Sequence, residues 1–194
     1  PTSANRGKTA YENALDLLGN QDEFDINLIM LPGIIDSVHT SIAAKAIDIC
    51  EDRGDCFTIL DPVPFGSTLS ATTTRGEARD SNFAAMYWPW VKIPDSQLGG
   101  TQRWVPPSVV LGGVFAFNDR VAHPWFAPAG LNRGGITTAL QAERKLTQGN
   151  RDDLYDSNIN PIATFPGQGV TVFGQKTLQK KASALDRINV RRLL

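Results

Sequence analysis

The chain has 194 residues, of which 41% are hydrophobic and 20% charged, with a formal net charge of −1 and two cysteines. That composition excludes intrinsic disorder, a disulfide-dense scaffold and a uniformly basic nucleic-acid binder, and it leaves room for one large domain or two small ones. The apolar stretches are broken by charge, proline or glycine well before the roughly 18 residues that a membrane span needs, and no charged-then-apolar leader opens the chain. The expectation is a protein outside the membrane and not exported by a signal peptide. The polar opening "PTSANRG" and the closing "INVRRLL", which reads as a helix just beginning, suggest a piece of a longer chain.

Residues 11–20, "YENALDLLGN", carry the spacing of an amphipathic helix. "INLIML" (26–31) is a short, nearly continuous apolar run closed by Pro32-Gly33, as expected of a strand buried on both faces. Ser37 then offers an N-cap, Val38, Ile42, Ala46, Ile49 and Cys50 form one helical stripe, and Gly54 offers the stop. "CFTIL" (56–60) follows as a second buried strand, which makes a strand–helix–strand unit with parallel strands.

After Asp61-Pro62 a Ser/Thr/Gly-rich connection with a helical part leads to "FAAMYWPWVKI" (83–93). This run falls at the interval of a third strand of the same sheet. Its aromatics are expected in the core and at the sheet edge, with Pro89 marking an edge, a bulge or the point where the strand leaves. Trp104 and Val105 return beside that exit through a hairpin or loop, and Pro106-Pro107-Ser108 opens a helix through "VVLGGVFAFNDR" whose small residues permit a close approach to the sheet. One or two short helices are expected between residues 138 and 158, and "INPIATFPGQGVTVFG" signals a β-hairpin around Pro166–Gly169. The expected fold is therefore α/β, a mainly parallel sheet flanked by helices with an added β-hairpin or α+β C-terminal part. Residues 1–130 would form the core and 131–194 the start of a C-terminal domain.

Charge is uneven: residues 1–61 hold four basic side chains against eleven acidic, and residues 62–194 fifteen against nine. In a self-assembling subunit, the acidic part of one copy could meet the basic part of the next. The one basic cluster, Lys176, Lys180, Lys181, Arg187, Arg191 and Arg192 against the single acid Asp186, contains no aromatic to stack a base. Phosphate contact would be its only nucleic-acid mode, so it reads as a solvated face or a contact for an acidic protein surface.

Catalytic constellations are weak. Cys50 and Cys56 flank the turn "EDRGD" and read as structural thiols; a disulfide is open to them, and with His39 and His123 remote they make a poor metal site. His39 stands near Ser37 and Thr40, but no G-x-S-x-G elbow accompanies it. Asp36 and Asp61 could converge beyond the strand ends, where open α/β sheets bind ligands, although neither a P-loop nor a G-x-G-x-x-G follows a strand. An enzyme of α/β hydrolase-like or nucleotide-handling type would use Asp36, His39 and Asp61. A ligand-binding module would use the aromatic cluster.

Six segments in order, "FDINLIMLPGI", "CFTILDPVP", "NFAAMYWPWVKI", "WVPPSVVLGGVFAFNDR", "VAHPWFAPAGLNRG" and "INPIATFPGQGVTVFGQKTL" leading into "INVRRLL", resemble the sheath proteins of contractile phage tails and related injection machines. The resemblance covers nearly the whole chain. It implies a non-enzymatic structural protein without cofactor or metal, located in the virion tail and, during assembly, in the host cytoplasm. Such subunits stack as hexameric rings around a tail tube, meet baseplate and tail terminator proteins, and contract to drive the tube through the envelope. Direct nucleic-acid binding and membrane insertion are not implied. The core of the family has been likened to subtilisin, and its subunits are linked by terminal arms that add strands to a neighbour's sheet. Under this reading Tyr87, Trp88, Trp90 and Trp104 are core packing, with Trp88, Trp90 and Trp104 locking the third strand to the following helix. Lys176, Lys180, Lys181, Arg187, Arg191 and Arg192 form an interface to the tube or to the acidic part of a neighbour.

Overall fold

The computed structural model describes residues 6–95, 97 and 99–194. Its elements are α1 (Arg6–Leu18), β1 (Leu28–Ile35), α2 (Thr40–Arg53), β2 (Phe57–Asp61), α3 (Leu69–Glu77), β3 (Ala84–Trp88), β4 (Val91–Asp95), β5 (Thr101–Val105), α4 (Pro107–Val121), β6 (Gln141–Ala142), α5 (Gln148–Asp156), β7 (Ile159–Phe165), β8 (Gly169–Val172) and α6 (Ile188–Leu193). A five-stranded sheet has the order β1-β2-β3-β7-β8, parallel through β7, with β8 antiparallel at one edge. A three-stranded antiparallel sheet, β5-β4-β6, stands beside it.

Both faces of the large sheet are covered, which is why its strands read as unbroken apolar runs. On one face Phe57, Ile59, Ala85, Tyr87 and Ile162 pack with Val110, Leu111, Val114 and Phe115 of α4, and Ile188 of α6 joins them. On the other, Leu60, Met86, Trp88 and Ile159 meet Ala43 and Ile47 of α2 and Leu154 of α5. α1 adds an outer layer, where Leu15 packs with Ile29, Ile42 and Ala46. Gly112 of α4 faces β1, where a Cβ would stand 2.8 Å from Cε at the flexible end of Met30.

Several expectations are corrected. β1 does not stop at Pro32-Gly33 but continues to Ile35, with its register to β2 slipping between Met30 and Ile35. An outer strand tolerates a residue that cannot donate, and Gly33 takes a φ of 89° to make the slip. Ser37 does not cap α2: its N–H extends the β1–β2 ladder to the Pro62 carbonyl at 3.1 Å, and the helix begins at Thr40, whose hydroxyl donates back to the Asp36 carbonyl at 2.9 Å. The aromatic run does not lie at an edge, since β3 is the middle strand. The chain leaves the sheet at the cis Trp88-Pro89 bond and enters the small sheet as β4. β7 pairs in parallel with β3, so residues 159–172 complete the sheet begun by residues 28–88.

The free edge of β8 is covered. Ile136 N–H donates to the Val170 carbonyl at 2.9 Å and Val172 N–H to the Gly134 carbonyl at 2.7 Å.

Candidate interface surfaces and buried polar anchors

The strand ends hold two buried carboxylates whose bonding is spent inside the fold. The Asp36 carboxylate is wholly buried and receives Arg75 Nε at 2.8 Å and Arg79 Nη2 at 2.6 Å, with Arg75 Nη2 completing a fork on the same oxygen. This clamp fixes α3 and the residues after it to the turn between β1 and α2. Asp61 accepts from Ser108 N–H at 3.0 Å and from Ser108 Oγ at 2.5 Å, at the first turn of α4, where an anionic partner is favoured. Burial nevertheless pushes the Asp61 pKa up to about 6, against the pull of the two Ser108 bonds. The backbones of the two aspartates meet, Asp36 N–H donating to the Asp61 carbonyl at 2.8 Å, while their carboxylates turn to different helices. His39 Nδ1 accepts the Ile35 N–H at 3.0 Å, and burial lowers its pKa. These three residues brace the sheet. They do not line the groove of about 690 Å³ bordered by Arg151, Tyr155, Pro161 and Phe173.

The aromatic residues divide by strand parity. Tyr87 points to the α4 face and Trp88 to the α2/α5 face, so the side chain that joins β3 to α4 is Tyr87 and not Trp88. Trp90 and Trp104 are half-buried and belong to a third group. Phe65 lies tilted at 5.1 Å between ring centroids from Trp104 and meets Trp90 edge to face at 6.0 Å, Trp90 Nε1 donates to the Val63 carbonyl at 3.0 Å, and Lys92 Nζ lies 4.9 Å over Trp104. That group ties the small sheet to the loop after β2.

The basic segment is stitched to the body rather than laid on it. Leu178 is buried on the α2/α5 face and Ile188 on the α4 face. Lys176 Nζ donates to the Tyr155 carbonyl at 2.7 Å, and desolvation lowers its pKa. Arg187 pairs with Asp186 at 3.1 Å. Arg191 donates to the Gly54 carbonyl at 2.9 Å and stacks 3.6 Å from the Phe83 centroid. Arg192 forks onto Asp119 at 3.0 and 2.6 Å beside the Phe115 ring, its side chain only 6% exposed. Of the six, Lys180 and Lys181 alone are exposed at the surface, the other four being half-buried.

Among the described residues, no group of three or more His, Cys, Asp or Glu could hold a metal ion, and no helix is long and apolar enough to cross a membrane. Residues 4–178 match the phage tail sheath protein central domain. The chain belongs to the phage tail sheath family. It is 31% identical over 99% of its length to the tail sheath protein of Vibrio phage KVP40, and 29% identical over 98% to that of Enterobacteria phage T4. It spans about a third of the length of these relatives, 32% in each case.

The sheath segment also superposes on the anti-feeding prophage baseplate structure with a TM-score of 0.74 and 25% identity, covering 100% of this chain and 48% of that one. The same prophage's helical sheath in its contracted state gives 0.70 and 26%, covering 100% and 49%. For the PVC extracellular contractile injection system sheath, also contracted, the values are 0.70 and 27%, covering 88% and 44%.

Sequence reasoning passed over several anchors of the sheath segment. Arg75 and Arg79 lie 39 and 43 residues from Asp36, although their spacing of four on a helical stretch was a usable signal. Asn160 is buried in β7, donates to the Met86 and Lys176 carbonyls at 3.2 and 2.8 Å, and accepts Lys176 N–H at 2.7 Å. No local pattern announces it.

Proposed function

We propose that this chain is the central, rigid part of a structural subunit of a contractile tail sheath, which polymerises around a tail tube and shortens to drive the tube through a cell envelope. The observation that carries the reading is the match of residues 4–178 to the tail sheath central domain, joined to the likeness of the whole chain to both a baseplate and a contracted sheath. A subunit that serves in a baseplate and in a contracted lattice must be a body that moves without unfolding, and a sheet covered on both faces and braced by Asp36 and Asp61 suits that task.

In this reading the copies assemble as hexameric rings in the virion tail after synthesis in the host cytoplasm. The tube, baseplate and terminator proteins are its neighbours. The parallel strands are the part likened to subtilisin, a likeness of fold that carries no triad. The exposed pair Lys180 and Lys181 forms the basic contact with the tube or with the acidic N-terminal part of a neighbour, while Arg191 and Arg192 serve the subunit itself.

The test is negative-stain electron microscopy of the full product of the gene beside this 194-residue segment, at low and high salt. Striated tubes from the full product are expected. Particles that stay dispersed even when tube and baseplate are supplied would overturn the proposal. With Lys180→Glu and Lys181→Glu, assembly should weaken and lose part of its salt dependence; unchanged tubes would remove the two lysines from the interface.

A further inference from the structure

Cys50 lies in the last turns of α2 and Cys56 immediately precedes β2. Their sulfurs approach to 3.3 Å and share a hydrogen bond, both thiols being free and buried. Buried thiols are ordinarily inert packing, but these two are held against each other. Gly54, in the left-handed conformation at φ 76°, donates its N–H to the Cys50 carbonyl at 3.0 Å and closes the turn. Arg53 pins the same turn through the Asp55 carboxylate at 2.8 Å and the carbonyls of Leu18 and Phe24 at 2.5 and 2.9 Å. Arg191 of α6 holds it from outside through the Gly54 carbonyl. A disulfide requires a sulfur separation of about 2.05 Å, so the remaining gap is about 1.2 Å, within reach of small side-chain rotations.

Access and electrostatics favour the same pair. Cys56 lines a cavity of about 280 Å³ together with Asn27, Asp119, Pro124 and Arg191, large enough for a small oxidant. Hydrogen bonding with Cys50, aided by the Arg53 guanidinium, pulls the Cys56 thiol down, whereas the same bond and burial push Cys50 up. Cys56, which lines the cavity where Cys50 does not, is the sulfur that meets an oxidant first.

We propose that Cys50 and Cys56 are an oxidation site, forming an intramolecular disulfide when the protein meets a peroxide. The Cys56 thiolate attacks the O–O bond of hydrogen peroxide; an S–O bond forms, hydroxide leaves, and Cys56 becomes a sulfenic acid. The Cys50 sulfur then attacks Cys56, giving up its proton; the S–S bond forms, the S–O bond breaks, and water leaves. Two thiols lose two electrons and one peroxide becomes two waters. The staple joins the end of α2 to the start of β2 and stiffens the turn on which Arg191 seats α6.

The experiment treats the purified chain with excess hydrogen peroxide, then counts free thiols under denaturing conditions and maps peptides without reduction. Both thiols should disappear, the protein should lose two hydrogens in mass, a linked Cys50–Cys56 peptide should appear, and dithiothreitol should restore the starting state. Oxidised protein should melt about 5 °C higher than reduced, the order expected for closing so short a loop. Cys50→Ser should leave a sulfenic acid on Cys56 that dimedone traps; Cys56→Ser should leave Cys50 unreactive. Persistence of both thiols, stepwise oxygen addition at one cysteine of the native sequence, or a link between two chains would each overturn the proposal.

Discussion

The strand-end carboxylates and the C-terminal basic segment teach opposite lessons about charge. Asp36 and Asp61 are isolated in sequence, yet both are buried and partnered, one by two arginines and the other by a serine at a helix start. The run from Lys176 to Arg192 looks like one continuous surface, yet most of it is spent within the chain and Lys180 and Lys181 alone of the six are exposed. Clustering along the chain does not tell which charges are free, because the fold decides that by where each backbone segment is anchored.

The sharpest way to break this contrast is Asp36→Ala. It leaves Arg75 and Arg79 without their buried partner, and a loss of about 3–5 kcal/mol in chemical denaturation is expected. Asp61→Asn tests the other carboxylate through the pH dependence of stability. The folded pKa of Asp61, about 6, lies above its ordinary value of 3.8, so folding favours the protonated form. That contribution is complete below the ordinary value and is lost as the pH rises through about 6. Relative to the native sequence, the asparagine variant should therefore gain up to about 3 kcal/mol between acidic and mildly alkaline pH, read from paired denaturation curves.

A smaller effect is expected in the basic segment itself. Arg192→Ala removes a forked bond to Asp119 and a ring contact with Phe115, and should cost roughly 2 kcal/mol while speeding hydrogen exchange in α6. Lys180→Ala with Lys181→Ala should change stability by no more than about 0.5 kcal/mol, since both side chains are exposed. Equal losses from the arginine and the lysine variants would abolish the distinction between the two ends of the run.

How much of this was legible follows from range. The strand–helix–strand unit could be read because "INLIML" and "CFTIL" are apolar runs bounded by local breakers, and the helix after Pro106-Pro107-Ser108 because its start is written in adjacent residues. The hairpin of residues 159–172 was legible as a hairpin, but its seat beside β3 was not, since pairing across some seventy residues leaves no periodic trace. Adjacent Tyr87 and Trp88 had to face opposite ways in any strand. Trp88 and Trp90, two residues apart, would share a face in an unbroken strand, but Trp90 lies beyond the point where the strand leaves the sheet, so the alternation does not carry over to it.

The two ends of the large sheet have a consequence for solubility. A sheet edge with free N–H and C=O groups is a template on which foreign strands can grow into unregistered aggregates. At one end the template is already taken, because Gly134 and Ile136 occupy the hydrogen bonds of β8. At the other, Pro32 has no N–H to donate and Gly33, at a φ of 89°, interrupts the regular extension of β1. Both edges of the large sheet therefore resist the unregistered addition of a foreign strand.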